Sequence, residues 1–447
     1  MTISISEFYS NRSVLITGGS GFIGKVLIEK LLRSCPNIGH IYLLIRTTNR
    51  NGKQLDSEQR LKQQILNSKL FNLPTSKNLD FSKLVAISGD MTMPNLGLTE
   101  QDRQKLIEEK VYSLKQDVNK IIDQIIEKDD DKNPIKGDPI LYGRPNPYTV
   151  SKALTECLIE KKYSDLPVVI CRPSIVSYAY NEPTRGWCDS LNGISGLILL
   201  GSLGIIQVLT VDHDKLTDLI PVDFVANSLI VIGYHSRMPS TEKKNVINIT
   251  SGAKNPVTWR KIVNSVSDKV SSTPSIRMVR PTNKLRINST VIGRMHHYFR
   301  SFFFHFLFAY IFDFLLIVIG QKRYMVKTMK RIQKYCDVYR HFLNNEWLFK
   351  HNHYDQIYRT LSVEDQLRFP SDVSTIDWNE YSNTIWIGTR RYLLNEDDST
   401  IKQAIHRQRK INIIFGLIHF FVYLFMMIIP CMFAIIFPIR MILANHS

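Results

Sequence analysis

Cysteine is scarce in this chain and never paired in spacing. The six cysteines (Cys35, Cys157, Cys171, Cys188, Cys336, Cys431) are scattered and form no C-x-x-C motif. That excludes a zinc ribbon and a disulfide framework as organising devices and fits a reducing compartment. His341, His351 and His353 lie near one another, but no acidic partners accompany them, so no metal site is expected. The N-terminus has no apolar h-region, and no cleaved signal peptide is expected. Acidic residues are nearly missing between Lys254 and Arg340, where 17 Lys and Arg meet three acids. The last absence is internal. No apolar run of strand length occurs between Ser88 and Pro167, where a doubly wound sheet should continue to alternate strand and helix.

What is present starts with Ser13-Val14-Leu15-Ile16-Thr17-Gly18-Gly19-Ser20-Gly21-Phe22-Ile23-Gly24-Lys25. An apolar strand (Val14 to Ile16) runs into glycines spaced G-x-x-G-x-x-G and then into a helix, Lys25 to Arg33. Gly18 permits the tight turn, Gly21 lets the backbone approach a pyrophosphate, and Gly24 lets helix and strand pack closely. The free N–H groups and positive end of the helix would hold the phosphates. Thr17, Gly18, Gly21, Phe22, Ile23 and Gly24 are therefore candidate cofactor-binding residues; a glycine turn in an α/β domain without ligand is the bland alternative. A second strand, His40 to Ile45, ends in Arg46. An acidic residue there would suit NAD, whereas Arg46, with Arg50 close by, suits the 2′-phosphate of NADP. A third strand, Leu84 to Ser88, ends at Gly89-Asp90, where the Asp90 carboxylate could meet an adenine amino group or simply form a surface turn.

Tyr148-Thr149-Val150-Ser151-Lys152 opens a helix reaching about Lys162. Four residues apart, Tyr148 and Lys152 share a helical face. An ammonium there lowers the phenol's pKa and can grip a nicotinamide ribose, so Tyr148 could protonate a carbonyl oxygen as hydride arrives. A buried strand, Pro167 to Cys171, follows. Asp223, in Ile220-Pro221-Val222-Asp223, reads as a structural helix cap rather than a catalyst. The 447 residues suffice for two units with appendages, and the net charge of +17 is concentrated in the basic segment. Those charges bracket an apolar run, which favours an anionic membrane surface or substrate over nucleic acid.

That run, Phe302 to Gly320, contains Asp313 and reads as interfacial, with a buried core helix as the alternative. Residues 325–404 form a helical unit whose aromatics, including Trp347, Phe349, Trp378, Tyr381, Trp386 and Tyr392, are expected in the core. Ile411 to Phe437 is long enough to cross a bilayer, with a hairpin at Pro430 as the alternative. Arg407, Arg409 and Lys410 before it would keep the catalytic part cytosolic. The expected fold is α/β: a Rossmann-type doubly wound parallel sheet over 1–253, missing two central strands, then a basic linker over 254–324 with the interfacial segment 302–320. The helical C-terminal unit 325–404 and a transmembrane segment 411–437 complete it.

The text resembles the fatty acyl-CoA reductase family, an extended short-chain dehydrogenase group. The resemblance is carried by the Thr17 to Gly24 turn, Leu44-Ile45-Arg46, Gly89-Asp90, Pro145 to Lys152, Cys171-Arg172-Pro173-Ser174, Gly186-Trp187 and Ile220 to Asp223. More specific are Phe342 to Phe349, Asp377-Trp378 with Tyr381, and Ile387 to Tyr392, similar to that family's C-terminal domain. The resemblance implies NADPH-dependent reduction of a long-chain acyl-CoA to a fatty alcohol and free CoA through a held aldehyde. Tyr148 would be the proton donor, Lys152 its partner, and Arg46 and Arg50 would meet the 2′-phosphate. It also implies membrane lipid as a partner and a peroxisomal or endoplasmic reticulum membrane; neither metal nor nucleic acid is expected. Where the family carries a strand with a catalytic serine, Glu109-Lys110 runs directly into Val111. The competing expectations are therefore a non-catalytic or misassembled form of such a reductase, and a membrane-bound dehydrogenase of the sterol type, which would lack the aromatic C-terminal unit.

Overall fold

In the computed structural model of the chain, residues 3–50, 53–89, 146–162, 168–207, 209–236, 246–282, 306–349, 351–418 and 420 are described. The first βαβ unit follows from its sequence. The aliphatic strand β1 (Val14–Thr17) breaks at the glycines, α2 (Phe22–Ser34) follows, and β2 (Ile41–Ile45) returns parallel to β1 with Val14 opposite Ile41. A short helix, α1 (Ile5–Tyr9), precedes them, held at its start by reciprocal hydrogen bonds between Ser4 and Glu7. A hairpin of β3 (Thr48–Arg50) and β4 (Lys53–Leu55) leads to α3 (Ser57–Arg60), and β5 (Leu84–Ser88) pairs parallel with β2. The sheet order is β1-β2-β5. Helix α2 starts three residues before the expected Lys25, because Gly21 itself is the N-terminal flanking residue.

The expected gap in the sheet, between Ser88 and Pro167, lies largely outside the described residues, as do Asp90 and the Lys110–Val111 junction. Among the described residues β1 pairs with β2 alone, and its Leu15 is 43% exposed. By contrast Ile41, Leu43, Leu44 and Ile45 of β2 are buried, as strands flanked on both sides should be.

Helix α4 (Pro147–Lys162) is followed by β6 (Ile170–Pro173), β7 (Ile175–Ser177), α5 (Ile194–Ser202), β8 (Leu219–Pro221), α6 (Val222–His235), β9 (Val246–Ile249) and α7 (Trp259–Ser272). Strand β6 lies later than the expected Pro167 to Cys171. Its parallel register with β9, Ile170 opposite Val246 and Pro173 opposite Ile249, sets the position, and Pro173 falls at the strand's last residue, where proline is tolerated. Strands β7 and β8 form a second parallel pair. Helix α6 is buried almost all round and packs against α2.

The C-terminal part is helical: α8 (Phe308–Val318), α9 (Met325–Leu343), α10 (Asn352–Arg359), α11 (Val363–Arg368), α12 (Trp378–Gly388) and a last helix over 401–418. It docks on the α/β part at two glycines. Gly186 has φ +72°, and a Cβ on it would lie 2.6 Å from the Thr384 carbonyl oxygen. A Cβ on Gly388 would lie 1.8 Å from the Gly186 carbonyl oxygen, so the backbones meet with no room for a side chain. Around this crossing, Tyr381 donates its hydroxyl to the Tyr178 carbonyl (2.7 Å), and the Tyr178 and Thr389 hydroxyls share a bond of 2.8 Å. The Trp378 and Trp386 indoles donate to Asn255 and Thr273. Buried Lys30 of α2 joins Glu182 to the Arg368 carbonyl, both at 2.6 Å.

One expectation changes here. Asp313 is not a charge stranded in an apolar run: it is buried and accepts from the amides of Tyr324, Met325 and Val326 at 2.8–3.0 Å, holding the start of α9. Helix α8 spans 11 residues, too few to cross a bilayer. No described helix is long and apolar enough to cross a membrane, and most of 411–437 lies outside the described residues.

Candidate active site

The glycine turn is built by backbone constraints. Gly18 takes φ +70°, a conformation that a side chain disfavours. The Gly21 amide donates to the Gly18 carbonyl at 2.9 Å, closing the turn. A Cβ on Gly24 would sit 2.4 Å from the Gly18 oxygen, so only glycine lets the helix approach the strand this closely. Helix α2 begins without a side-chain cap and without an acid in its first turn. Its free amides and positive end therefore face outward beside exposed Thr17 and Gly18, a cradle that fits a pyrophosphate. Phe22 stacks on Trp187 with ring centroids 5.3 Å apart, and Lys25 pairs with Asp189. Ile23 is half-buried. The turn is thus braced by the loop that also contacts the C-terminal helices.

Arg46 is exposed just beyond β2. Arg50 lies on β3 of the hairpin. Arg60, at the end of α3, donates to the Arg46 carbonyl and to Gln64 Oε1. The neighbouring Arg46 cation and, more strongly, burial depress the Arg60 pKa. Among the described residues neither guanidinium pairs with a carboxylate. Two close cations without an anion suit a phosphate. Sequence alone did not single out Arg60; the usable signal was a capping-box start, Asp56 to Gln59, which sets a helix whose last residue is Arg60.

Asn146 caps α4, accepting from the Thr149 amide at 3.0 Å. Tyr148 and Lys152 then lie on one face, with the Lys152 ammonium 5.6 Å from the Tyr148 ring centroid. Tyr148 is 66% exposed and lines a cavity of about 580 Å³. Ser174, Asp218, Ile194, Leu197 and Trp259 form part of the wall, and the C-terminal part adds Tyr339, Phe342 and Leu343 from α9 and Trp347 and Phe349 from the segment after it. Trp347 and Phe349, expected in the core, are cavity walls, and Trp347 is 40% exposed. Trp378, Tyr381 and Trp386 are core as expected. The reason is local: α9 ends at Leu343, so Trp347 and Phe349 stand on the non-helical segment after it rather than on a helix face turned into the core.

The polar side of the cavity centres on Asp218, a residue sequence reasoning missed. Its Oδ1 accepts from Ser174 Oγ (2.8 Å) and the Ser251 amide (2.7 Å), while Oδ2 is buried with no partner among the described residues. Ser174 shares the wall with Tyr148, but its hydroxyl is committed to Asp218. Ser151 donates back to the Tyr148 carbonyl. Asp223 is structural, yet it does not cap its own helix. It accepts from the amides of Tyr180, Asn181 and Glu182 at 2.9–3.0 Å and so fastens the loop leading to Gly186. Burial pushes its carboxyl pKa up, against the pull of those three amides. Buried His351 lies 3.6 Å from Asp355 and does not meet His341, which lines the cavity.

Two family models, each described as male sterility protein, match the chain. One matches residues 304–396 and the other residues 16–113 and 109–229, so the second match divides at the Lys110–Val111 junction. The chain is 30% identical to Fatty acyl-CoA reductase 1 of Rattus norvegicus over 480 residues, covering 93% of this chain and 91% of the relative. It is 31% identical to Fatty acyl-CoA reductase 2 of Mus musculus over 478 residues, covering 92% and 91%. Since 93% of 447 residues is about 416, roughly sixty of the 480 positions aligned with the rat protein have no residue here. Among solved structures, the reductase (R) domain of a nonribosomal peptide synthetase from Mycobacterium tuberculosis superposes with TM-score 0.52 at 15% identity, covering 86% of this chain and 92% of that one. The terminal R domain of the myxalamid PKS-NRPS biosynthetic pathway gives 0.51 at 16%, covering 86% and 91%. Both show the fold alone.

Proposed function

Because the chain belongs to the fatty acyl-CoA reductase family, we propose that it reduces a long-chain acyl-CoA to the fatty alcohol and free CoA, with NADPH as its cofactor and the aldehyde held between two reductions. One observation carries the reading: Tyr148, with Lys152 on the same helical face, opens onto a chamber of about 580 Å³ walled opposite by aromatics of the C-terminal helices. A phenol at the rim of an apolar chamber is where a thioester carbonyl would stand with its chain shielded from water.

The residues present fit the cofactor. The turn at Thr17, Gly18, Gly21, Phe22, Ile23 and Gly24 would hold its pyrophosphate on the uncapped start of α2. Arg46, Arg50 and Arg60 would hold the 2′-phosphate, and Asp90, outside the described residues, would meet the adenine. When bound, the nicotinamide supplies the hydride for each reduction. Tyr148 delivers a proton to the carbonyl oxygen through its phenol, and the Lys152 ammonium lowers the cost of the phenolate left behind. Trp347, Phe349 and Phe342 exclude water from the reacting carbon. With Ser174 tied to Asp218, the chamber brings no free serine hydroxyl to Tyr148 among the described residues.

The chain divides in this reading into the nucleotide-binding unit 1–253, the linker 254–324, the helical unit 325–404 and an anchor over 411–437. Helix α8 exposes Phe314, Leu315, Ile317 and Val318, and the last helix exposes Ile413, Ile414 and Leu417; Phe308 and Phe415 bring the two together at 6.2 Å. Lys322, Arg323, Lys327, Lys330 and Arg331 follow α8 directly. Such an apolar face rimmed by cations suits the cytosolic surface of an anionic membrane. The non-catalytic alternative has less support, since likeness to the reductases runs through both units of the chain.

The test is alcohol formed from a long-chain acyl-CoA by membranes carrying the full chain, with NADPH and NADH compared. Alcohol with NADPH, lost in Tyr148→Phe while nucleotide binding persists, is expected. Unchanged turnover by Tyr148→Phe would remove it as the acid, and no alcohol from well-expressed parent would overturn the activity.

A further inference from the structure

The chamber beside Tyr148 does not end at its apolar wall. A second, narrower cavity of about 80 Å³ adjoins it, and the two share Ile194, Leu197, Trp259 and Leu343. That volume is several times the ~10–15 Å³ needed to admit one water. From the shared residues the slot runs along two helices, past Ile198, Gly201 and Ser202 on α5 and past Val263, Val266, Ser267 and Val270 on α7. Leu209 and Val211 close the side.

The two cavities differ in chemistry. The chamber has Tyr148, Asp218, Tyr339 and His341 in its wall, whereas among the described residues no titratable side chain lines the slot. A ligand spanning both therefore has one polar orientation: its reacting head beside Tyr148 and its hydrocarbon in the slot. Helix α7 explains why the slot persists. Its buried positions Trp259, Ile262, Val266 and Val270 follow helical spacing, while Val263 and Ser267, also lining the slot, are only half-buried. Small side chains at these two positions leave the groove that larger ones would fill. Length agrees as well. From Trp259 to Val270 is eleven residues, about 16 Å of wall at 1.5 Å per residue, close to the ~15 Å that one leaflet's chains occupy in a ~30 Å hydrocarbon core.

Resting on the acyl-CoA reading, we propose that the substrate's chain enters the slot between α5 and α7, and that Val263 and Ser267 set how long a chain is accepted. Burying each further methylene gains about 0.8 kcal/mol, roughly fourfold in affinity, until the slot is full. Filling it should therefore penalise long chains and spare short ones.

The direct test uses the S-hexadecyl thioether of CoA with a diazirine at the chain terminus, bound to the full chain in lipid nanodiscs, irradiated and mapped by mass spectrometry. Label on peptides of Ile194–Ser202 or Trp259–Ser272 is expected, and Ser267→Phe should move it back to the segment holding Phe342 and Trp347. Label confined to the chamber segment, to α8 or to the last helix in the parent overturns the slot, as does a label pattern unchanged in both Ser267→Phe and Val263→Trp. Val263→Trp serves as the second variant should the first fold poorly. Turnover separates the two readings. Slot labelling without alcohol from any acyl-CoA sinks the reaction and leaves the slot standing. Alcohol formation with the same preference for hexadecanoyl over dodecanoyl substrate in parent and both variants sinks the slot alone; a fall of at least tenfold in that preference supports it.

Discussion

Leu15 and Ile220 are both aliphatic residues within parallel strands, yet Leu15 is 43% exposed and Ile220 fully buried. The first sits on β1, beside the glycine turn. The second sits on β8, under α6 and next to the loops that carry the C-terminal helices. The contrast extends outward from each. On the nucleotide side Tyr148 is largely exposed on α4; on the other, Tyr178, Tyr354, Tyr381 and Trp386 are buried to within 1%. Among the described residues the side that meets the C-terminal helices is therefore closed by packing, whereas the side of the glycine turn is more exposed, and about sixty positions aligned with a reductase relative have no counterpart in the chain. The difference teaches where stability resides, and it does not coincide with where the proposed chemistry sits.

The largest expected effect comes from forcing the two backbones at the docking point apart. In Gly388→Ala the new Cβ would start 1.8 Å from the Gly186 oxygen, and a backbone cannot yield as a side-chain tip can. A loss of about 4 kcal/mol or more is expected, enough to abolish folding in many domains. Gly18→Ala on the open side meets nothing within 4 Å and has only its φ of +70° to overcome, about 1–2 kcal/mol. Thermal melts of the two variants should differ by many degrees; similar melting would break the comparison.

Next is the pair that opened it. Ile220→Ala leaves a cavity under α6 and should cost about 3 kcal/mol, while Leu15→Ala should cost under about 1 kcal/mol. Urea titrations of both would read this. If Leu15→Ala proved equally costly, β1 would be covered in solution by something the exposure does not register, and the open edge would have to be abandoned.

How much of this was legible before folding depended on range. The glycine turn, its helix, strands β5 and β9 and the shared face of Tyr148 and Lys152 arise from neighbours within a few residues, so spacing alone carried them. The chamber wall was not legible. Phe342, Trp347 and Phe349 share a cavity with Tyr148 across some 200 residues of chain, and an aromatic in a helical unit carries no mark distinguishing core from cavity. Arg60 escaped notice because its proximity to Arg46 depends on the turn through β3, β4 and α3. Asp313 misled for the opposite reason: the hydropathy of its neighbours was readable, whereas the amides of Tyr324 to Val326 that its carboxylate serves come from the next helix.

A smaller effect should follow from Tyr381→Phe. It removes the donor to the Tyr178 carbonyl at a fully buried site without changing volume appreciably. Leaving that carbonyl unpaired should cost about 1–3 kcal/mol. Since Tyr178 also bonds Thr389, a double variant with Tyr178→Phe should cost less than the sum of the two, as members of one network do. Strict additivity would mean that the docking face is a set of independent contacts rather than a connected one.

The smallest effect is a pH dependence confined to the closed half. His351 is buried, and desolvation holds its imidazole pKa below the usual 6.5, more strongly than nearby Asp355 raises it. Lys254, 2.9 Å from the same Asp355 oxygen, competes for that carboxylate and favours the neutral ring. The folded state thus binds this proton less readily than the unfolded chain, so the unfolded state takes up protons first as pH falls. The contribution to stability is fully present above the ordinary pKa and declines as pH drops through 6.5 toward the depressed folded value. Melting temperatures measured from about pH 8 down to about pH 5 should fall less in His351→Gln than in the parent, with little difference at the alkaline end. Equal slopes would show that another group governs the acid limb.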